Sequence, residues 1–555
     1  MSLQAHPLDP IPELTKQLAR ASFPKGTVAM NLRDALGPIY HDEDFAHVFP
    51  KRGRGAEAPW RLALVTVLQA AENLSDMQAA EMVRGRIDWK YALSLPMDDT
   101  GFDASILTDF RQRLIDAQAG DLILEPILEV CREHGWLKRG GGQVRIDSTI
   151  VLGNVRRLSS LETVGETIRV TLNELSELNE EWVISVVSED WFDRYVHRFE
   201  LQRFPKGKKA QEELVKHIGE DANFLIQAAG REGTPREVRE HPRITLLKQV
   251  WDQHFESIEG KGIRWRDGPL VANNERVVTP HDEEARESTK RDVDWLGYKV
   301  HIAETCEKDE LVHLIKTVET TRATEQDAEE TEALIEAERK RGDPPRDVFL
   351  DTSYMSGKHL VAYGKKGIRL IGPVLPDPSA QEKAGYGLRV FEIDWEKKEA
   401  TCPKGEKSHY WYERGKEGER ETILIKFSEK TCQACGAKEM CTKSQTGGRT
   451  LTVSPREIHE ATQKRRAEQG GKAFQEAYAQ RAGIEGTISE GVRAHGMRRS
   501  RYKGKEKTHF QMVSVASAIN LTRIYEMLKR EKAGLPPRRK RAVSPFARLR
   551  ERVVA

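Results

Sequence analysis

The rhythm of apolar and polar positions changes several times along this chain, and each change predicts an element. Residues 1 to about 55 are punctuated by Pro and Gly and show little periodicity. From Pro59, a residue suited to a first helical turn, Trp60, Leu64, Val67 and Leu68 recur at helical spacing. Ser75 and Gln78 form an S-x-x-Q capping box that opens a second helix through Met82. Asp103 can cap a third helix, carrying Ile106, Leu107, Phe110 and Leu114. Such short helices fit a helix-turn-helix-like unit and an ordinary helical bundle about equally well.

Strand signals begin after the Gly140-Gly141-Gly142 break, where Gln143 to Asp147 reads as a short strand ending in a carboxylate. Residues 151 to about 258 are helical and rich in charge. Alternation returns at Tyr298–Ile302 and Leu311–Ile315, with a turn between them. A helix from about Gln326 to Arg341, a strand Val348–Leu350 ending at Asp351, and a buried strand Ile368–Ile371 follow. This order predicts a mixed α/β sheet. Residues 375 to about 450 break the rhythm with loops and cysteines, and from Ser454 the chain is helical again. There Ile484, Ile488 and Val492 form an i, i+4, i+8 core stripe, with Glu485 at its margin.

Composition narrows the function classes. At 555 residues the chain is too long for one compact core, and at ~150 residues per domain it predicts three to four units. The most apolar stretch, Leu62–Ala71, is far short of the ~20 residues of a membrane span. The first ten residues lack the pattern of a secretory signal. Six cysteines are no disulfide framework, so a reducing compartment is expected. Cys131 and Cys306 read as buried core thiols.

The formal charge of +2 hides an asymmetry. From Gly491 to Ala555 the chain carries 18 Lys and Arg against four Glu, a net +14, leaving −12 on the rest. A basic C-terminal segment on an acidic body points to a polyanion partner, nucleic acid being the commonest.

The chemistry-bearing candidates are carboxylates and thiols. Asp147 and Asp351 each follow a short apolar strand, and functional groups of open α/β sheets gather at such ends. Two such acids can bridge hard divalent cations, and a paired-metal site drives phosphodiester displacement. Glu485 offers a third carboxylate. Tyr478, Arg481 and Glu485, at i, i+3 and i+7, share a face if the helix survives Gly483. Glu490 is a rival third acid, although five positions from Glu485 it lies on another face. Separately, Cys432-x2-Cys435-x5-Cys441 with Cys402 upstream supplies four thiolates, the donor set of tetrahedral structural zinc. His409 is a spare ligand.

Taken together, these motifs resemble bacterial insertion-sequence transposases of the DDE type, in the group whose last acid lies in a Tyr, Arg, Glu, Lys pattern. Phe49–Gly53, Leu74–Ala80 and Gly101–Ser105 resemble that group's helical N-terminal domain. Arg145–Thr149 and Leu350–Tyr354 resemble its two aspartate motifs, Trp295–His301 a core strand, Ile484–Glu490 its glutamate helix, and Gly496–Lys503 with Lys507 and Gln511 its basic block. Two departures stand out: Ser353 replaces a common Gly, and Val492 occupies the Lys position with Arg493 one residue late.

The resemblance implies an α/β fold with a ribonuclease H-like catalytic domain. It divides the chain into a helical N-terminal DNA-binding domain (1–135), a core (136–150 and 290–374) interrupted by a mainly helical insertion (151–289), and a zinc-binding insertion (375–453). The catalytic glutamate helix and basic part (454–533) and a basic tail (534–555) complete it. Asp147, Asp351 and Glu485 would hold two Mg²⁺ or Mn²⁺ ions, and Cys402, Cys432, Cys435 and Cys441 a structural Zn²⁺. Tyr478, Arg481, Arg493, Arg498, Arg499, Arg501, Lys503 and Lys507 would contact DNA. The implied activity is binding of terminal inverted repeats, cleavage of the element ends and joining to target DNA, by a homodimer in the bacterial cytoplasm at the nucleoid. The alternatives are a decayed or domesticated DNA-binding protein, and a nuclease without strand transfer.

Overall fold

The computed structural model describes residues 2–3, 10–53, 55–259, 262–268, 271–290, 292–415, 421–536 and 546. The chain is organised around a six-stranded mixed sheet: β1 (Gln143–Leu152), β2 (Arg286–Lys290), β3 (Val293–Thr305), β4 (Ile315–Arg322), β5 (Asp347–Phe349) and β6 (Arg369–Ile371). β3 pairs antiparallel with β1 on one side and with β4 and β2 on the other. β1 then pairs parallel with β5, and β5 with β6.

Two strands differ from the sequence expectation. β1 does not end at Asp147 but continues through the β-branched Thr149, Ile150 and Val151 to Leu152, so Asp147 lies mid-strand opposite Ile302. β4 starts at Ile315, not Leu311. Asn520 of the last long helix takes the hydrogen bonds of Ile315, accepting from its N–H and donating to its carbonyl (both 2.8 Å), and thereby fixes where the strand begins. The crossover helix runs Asp327–Lys340, close to the pattern's prediction.

Local signals account for the N-terminal helices. Pro59 opens Pro59–Glu72, and both hydrogen bonds of the Ser75–Gln78 capping box are present at the start of Asp76–Gly85. Asp103 Oδ1 accepts the Ser105 N–H at the start of Ser105–Asp116. These helices do not close a core of their own. Trp60, Val67, Phe110 and Leu114 share one continuous core with Tyr298 and Val300 of the sheet and with Phe510, Val513, Ile519 and Ile524 of Lys505–Lys532. That 28-residue helix is buried around most of its circumference, which explains its unbroken apolar stretches. The other face of the sheet packs under Leu334 and Ile335 of the crossover helix and Tyr363 of Gly357–Lys365.

Two further cores lie away from the sheet. Between β1 and β2, helices Ser160–Leu178, Lys208–Ala229 and Pro242–His254 enclose Val164, Ile168, Ile218, Leu225 and Leu247. Between β6 and the glutamate helix, strands Ser408–Arg414, Thr422–Phe427 and Thr450–Val453 form a small antiparallel sheet over Phe391, Ile425 and Leu451. Where β1 ends against β3, Gly297 has φ +145°, and a Cβ there would come within 2.4 Å of the Gly153 nitrogen. Among the described residues no helix is long and apolar enough to cross a membrane.

Candidate active site

The register of β1 and β5 creates the site. Their last pair is Arg145 with Phe349, so two residues further on both strands stand Asp147 and Asp351, where the pairing has ended. Asp351 caps the turn Thr352–Tyr354, its Oδ1 accepting the Ser353 N–H at 2.8 Å. A carboxylate used as a turn cap is an ordinary structural role, but its second oxygen lies within 3.6 Å of Arg481 Nη2.

The third acid comes from the distant part of the chain. The helical stretch does survive Gly483: Lys472–Tyr478 runs through a 3₁₀ turn, Ala479–Ala482, into Gly483–Ala494. Ile484 and Ile488 point to the core, which turns Arg481 and Glu485 towards the aspartates. Arg481 Nη2 lies 2.7 Å from Asp147 Oδ2 and 3.6 Å from Asp351 Oδ2, while its Nη1 lies 3.7 Å from Glu485 Oε1. Three carboxylates from three elements therefore converge on one guanidinium. Glu490 is elsewhere, accepting from Arg523 at 2.7 and 3.0 Å.

Exposure grades across the trio: the side chains of Asp147, Asp351 and Glu485 are 14, 40 and 69% exposed. Burial raises the Asp147 pKa above its ordinary value, against the pull of Arg481 and the Ser148 amide. Tyr478 stacks on Phe474 with ring centroids 5.8 Å apart, beside Phe349 and Ile371, and burial raises its phenol pKa.

The donor set suits hard divalent cations: three carboxylates already share one positive charge. They are not drawn together around a single point, however. Among the described residues no group of three or more His, Cys, Asp or Glu is close enough to hold a metal ion. The same applies to the thiols. Cys402, Cys432, Cys435 and Cys441 are free and line one small cavity, and His409 is not among its lining residues. The Lys404 and Arg449 amides donate to Cys402 Sγ and Cys432 Sγ at 3.4 Å. Burial, with the neighbouring thiols, raises the pKa of Cys441. Cys131 and Cys306 are buried, and burial pushes each thiol up to about 12.

The basic candidates divide into two sets. Arg493, Arg498, Arg499, Lys503 and Lys507 are exposed. Arg498 Nε donates to Thr149 Oγ1 at 2.9 Å, two residues along β1 from Asp147, and the 498–500 backbone is pinned to Leu152. Arg501 differs: its guanidinium donates to the Leu74 carbonyl and to Asn73 Oδ1, tying the block to the N-terminal helices. The tail residues 537–545 and 547–555 lie outside the described residues. Sequence reasoning missed Lys290, whose charge acts on Asp147, and Arg145. Arg145 could have been found by strand alternation, since it is two positions from Asp147 on the same face.

A comparison with curated proteins finds no match. Residues 401–525 match a family model described as a transposase DDE domain. That span contains the four cysteines, Tyr478, Arg481, Glu485 and the basic block, but neither aspartate. Residues 19–113, within the N-terminal helices, match one described as a transposase domain (DUF772). Each covers less than half of the chain, and together the two matches support an insertion-sequence transposase.

Proposed function

We propose that the chain is a DDE transposase that binds its element's terminal inverted repeats, cleaves the ends and joins them to target DNA. The observation that carries this is the convergence of Asp147, Asp351 and Glu485 on Arg481. The strand order, an antiparallel triplet followed by two parallel strands, supports a ribonuclease H-like core. In this reading the core is 136–150 with 290–374. Residues 1–135 recognise ends, 151–289 and 375–453 are insertions, and 454–533 complete the site.

Asp147, Asp351 and Glu485 would hold two Mg²⁺ or Mn²⁺ ions, which when bound supply activation of a water or 3′-hydroxyl and neutralisation of the leaving oxygen. The protein's own groups do the rest. Asp147, fixed mid-strand, sets the position of the reacting phosphate, and the more exposed Glu485 closes the site from the side on which DNA arrives. Arg481, a planar bidentate donor, grips a phosphate beside the cut, with Tyr478 alongside. Arg498, Arg499, Lys503 and Lys507 neutralise the flanking backbone. Arg493 takes the basic role of the Tyr-Arg-Glu-Lys pattern, since Val492 packs against the core. Cys402, Cys432, Cys435 and Cys441 would hold structural zinc, and a homodimer would hold two ends together.

The test is incubation of the purified protein with Mg²⁺ and duplexes carrying the element's ends and random sequence. Cleavage at the ends with joining to a target plasmid supports the reading. Sequence-specific binding without cleavage identifies a DNA-binding protein, and cleavage without joining a nuclease.

A further inference from the structure

We infer that Arg145 and Glu304 are positioning residues that seat the Glu485 helix against the Asp147 strand; the catalytic part of this inference rests on the function proposed above. Glu304 of β3 is completely buried and sits opposite Arg145 of β1. Its Oε2 accepts from Arg145 Nε at 2.6 Å, and its Oε1 from Thr487 Oγ1 at 2.6 Å and from Arg523 Nη1. Arg523 reaches on to Thr487 Oγ1 at 2.7 Å, to Glu490 and to the His313 carbonyl. One carboxylate thus joins two strands, the glutamate helix and the last helix.

Arg145 works on the other end of that helix. Its Nη1 donates to the Gln480 carbonyl at 3.1 Å, the residue before Arg481. Gly483 lies directly on the guanidinium: a Cβ there would stand 1.9 Å from Arg145 Nη1. Its φ is −63°, ordinary for a helix, so what a side chain there would disturb is the seat of the Arg145 guanidinium and not the backbone. The clamp therefore holds the helix at Gln480, at Gly483 and at Thr487, bracketing Glu485, while Arg145 shares a strand with Asp147 two positions away. Buried ion networks stabilise little over apolar packing, whereas a shift near 1 Å at reacting groups is expensive. Such an arrangement is suited to setting geometry.

The test compares the parent with Gly483→Ala and Arg145→Lys, and Arg145→Ala with the Gly483→Ala/Arg145→Ala double variant. Gly483→Ala deletes no buried charge, but its methyl group displaces the Arg145 guanidinium. Arg145→Lys keeps the charge beside Glu304 but cannot also reach Gln480. Mn²⁺ affinity, DNA affinity, cleavage, melting temperature and amide exchange across 483–494 are measured. The expected result is Mn²⁺ affinity and cleavage each lowered by about tenfold or more in both single variants. DNA affinity should be unchanged, with each variant still folded at the assay temperature. The double variant should be no worse than Arg145→Ala, because the clash is gone. Parent-like Mn²⁺ binding and exchange in Gly483→Ala would overturn the clamp. If the parent neither binds Mn²⁺ nor cuts DNA, the catalytic reading fails, and exchange alone judges the clamp: faster in Arg145→Lys supports it, unchanged overturns it.

Discussion

Arg481 Nη2 stands 2.7 Å from Asp147 Oδ2, although 334 residues separate the two in the chain. The pair closes the candidate site, because it brings the glutamate helix onto the open side of β1 beyond the last β1–β5 pair. Asp351 and Glu485 then meet the same guanidinium at different nitrogens, Nη2 and Nη1. The chemistry is thus assembled by tertiary packing from three separate elements.

Replacing any one acid should stop the reaction without releasing DNA. Asp147→Ala, Asp351→Ala and Glu485→Ala are each expected to lower end cleavage by about 10³-fold, the scale of lost electrostatic stabilisation of a transition state. Filter binding to end duplexes should stay within a few-fold of the parent. Glu490→Ala should instead lower the melting temperature, because it leaves Arg523 with fewer partners. Near-normal cleavage by Glu485→Ala, with loss in Glu490→Ala, would move the third acid.

One zinc per chain is expected on Cys402, Cys432, Cys435 and Cys441. Native mass spectrometry should show its mass, and a chelator should remove it and loosen residues 399–453 in amide exchange. Two Cys→Ser changes, at Cys432 and Cys435, should abolish the added mass. A folded protein free of zinc after expression in zinc-supplemented medium would rule out the site.

The exposed and the tethered arginines should behave oppositely. Each lost phosphate contact flattens the dependence of log affinity on log salt by about 0.9. Arg498→Ala with Arg499→Ala should therefore make the slope shallower by roughly one to two units, on end and random duplexes alike. Arg501→Ala should leave the slope almost unchanged and lower the melting temperature, since its hydrogen bonds go to Leu74 and Asn73. A change of sequence preference in the Arg498/Arg499 variant would mean that these residues read bases.

His301 gives the protein an acid-sensitive core. It is completely buried between Tyr354 Oη at 2.6 Å and Thr321 Oγ1 at 3.0 Å, and burial depresses its pKa to about 3. The unfolded chain therefore binds a proton that the folded chain refuses, at every pH between about 6.5 and 3. Stability is complete above 6.5 and falls on acidification, by at most about 1.4 kcal/mol per pH unit for this one group. Urea unfolding between pH 7 and 4 should show a shallower acid dependence for His301→Gln than for the parent. Equal slopes would refute it.

Much of this arrangement was legible residue by residue. The capping box at Ser75, the crossover helix and the Ile484–Ile488 stripe are local signals, and local geometry honours them. Asp147 and Asp351 could be singled out because each follows a short apolar run, although Asp147 proves to lie mid-strand. The strand ends were less legible: β4 begins where Asn520, two hundred residues later, takes the hydrogen bonds of Ile315. Of the clamp only Arg145 was legible, on the Asp147 face of its strand; Glu304, Thr487 and Arg523 acquire meaning only as neighbours. Arg501 read as one more basic residue, and only the packing of the N-terminal helices shows that its donors are used internally.

The shared core of the N-terminal helices and Lys505–Lys532 has a consequence for how the protein is made on the ribosome. The helices that emerge first need, as their packing partner, a helix that emerges more than four hundred residues later. At ~5–20 residues per second that interval is on the order of a minute, during which Trp60, Val67 and Phe110 have only neighbours within the N-terminal segment, such as Phe45 against Phe110. Nascent chains should therefore depend on holding chaperones, and a prematurely terminated product lacking the last helix should be cleared or aggregate without competing for DNA. Synthesis of Lys505–Lys532 should therefore be the step that lets the N-terminal helices close their core.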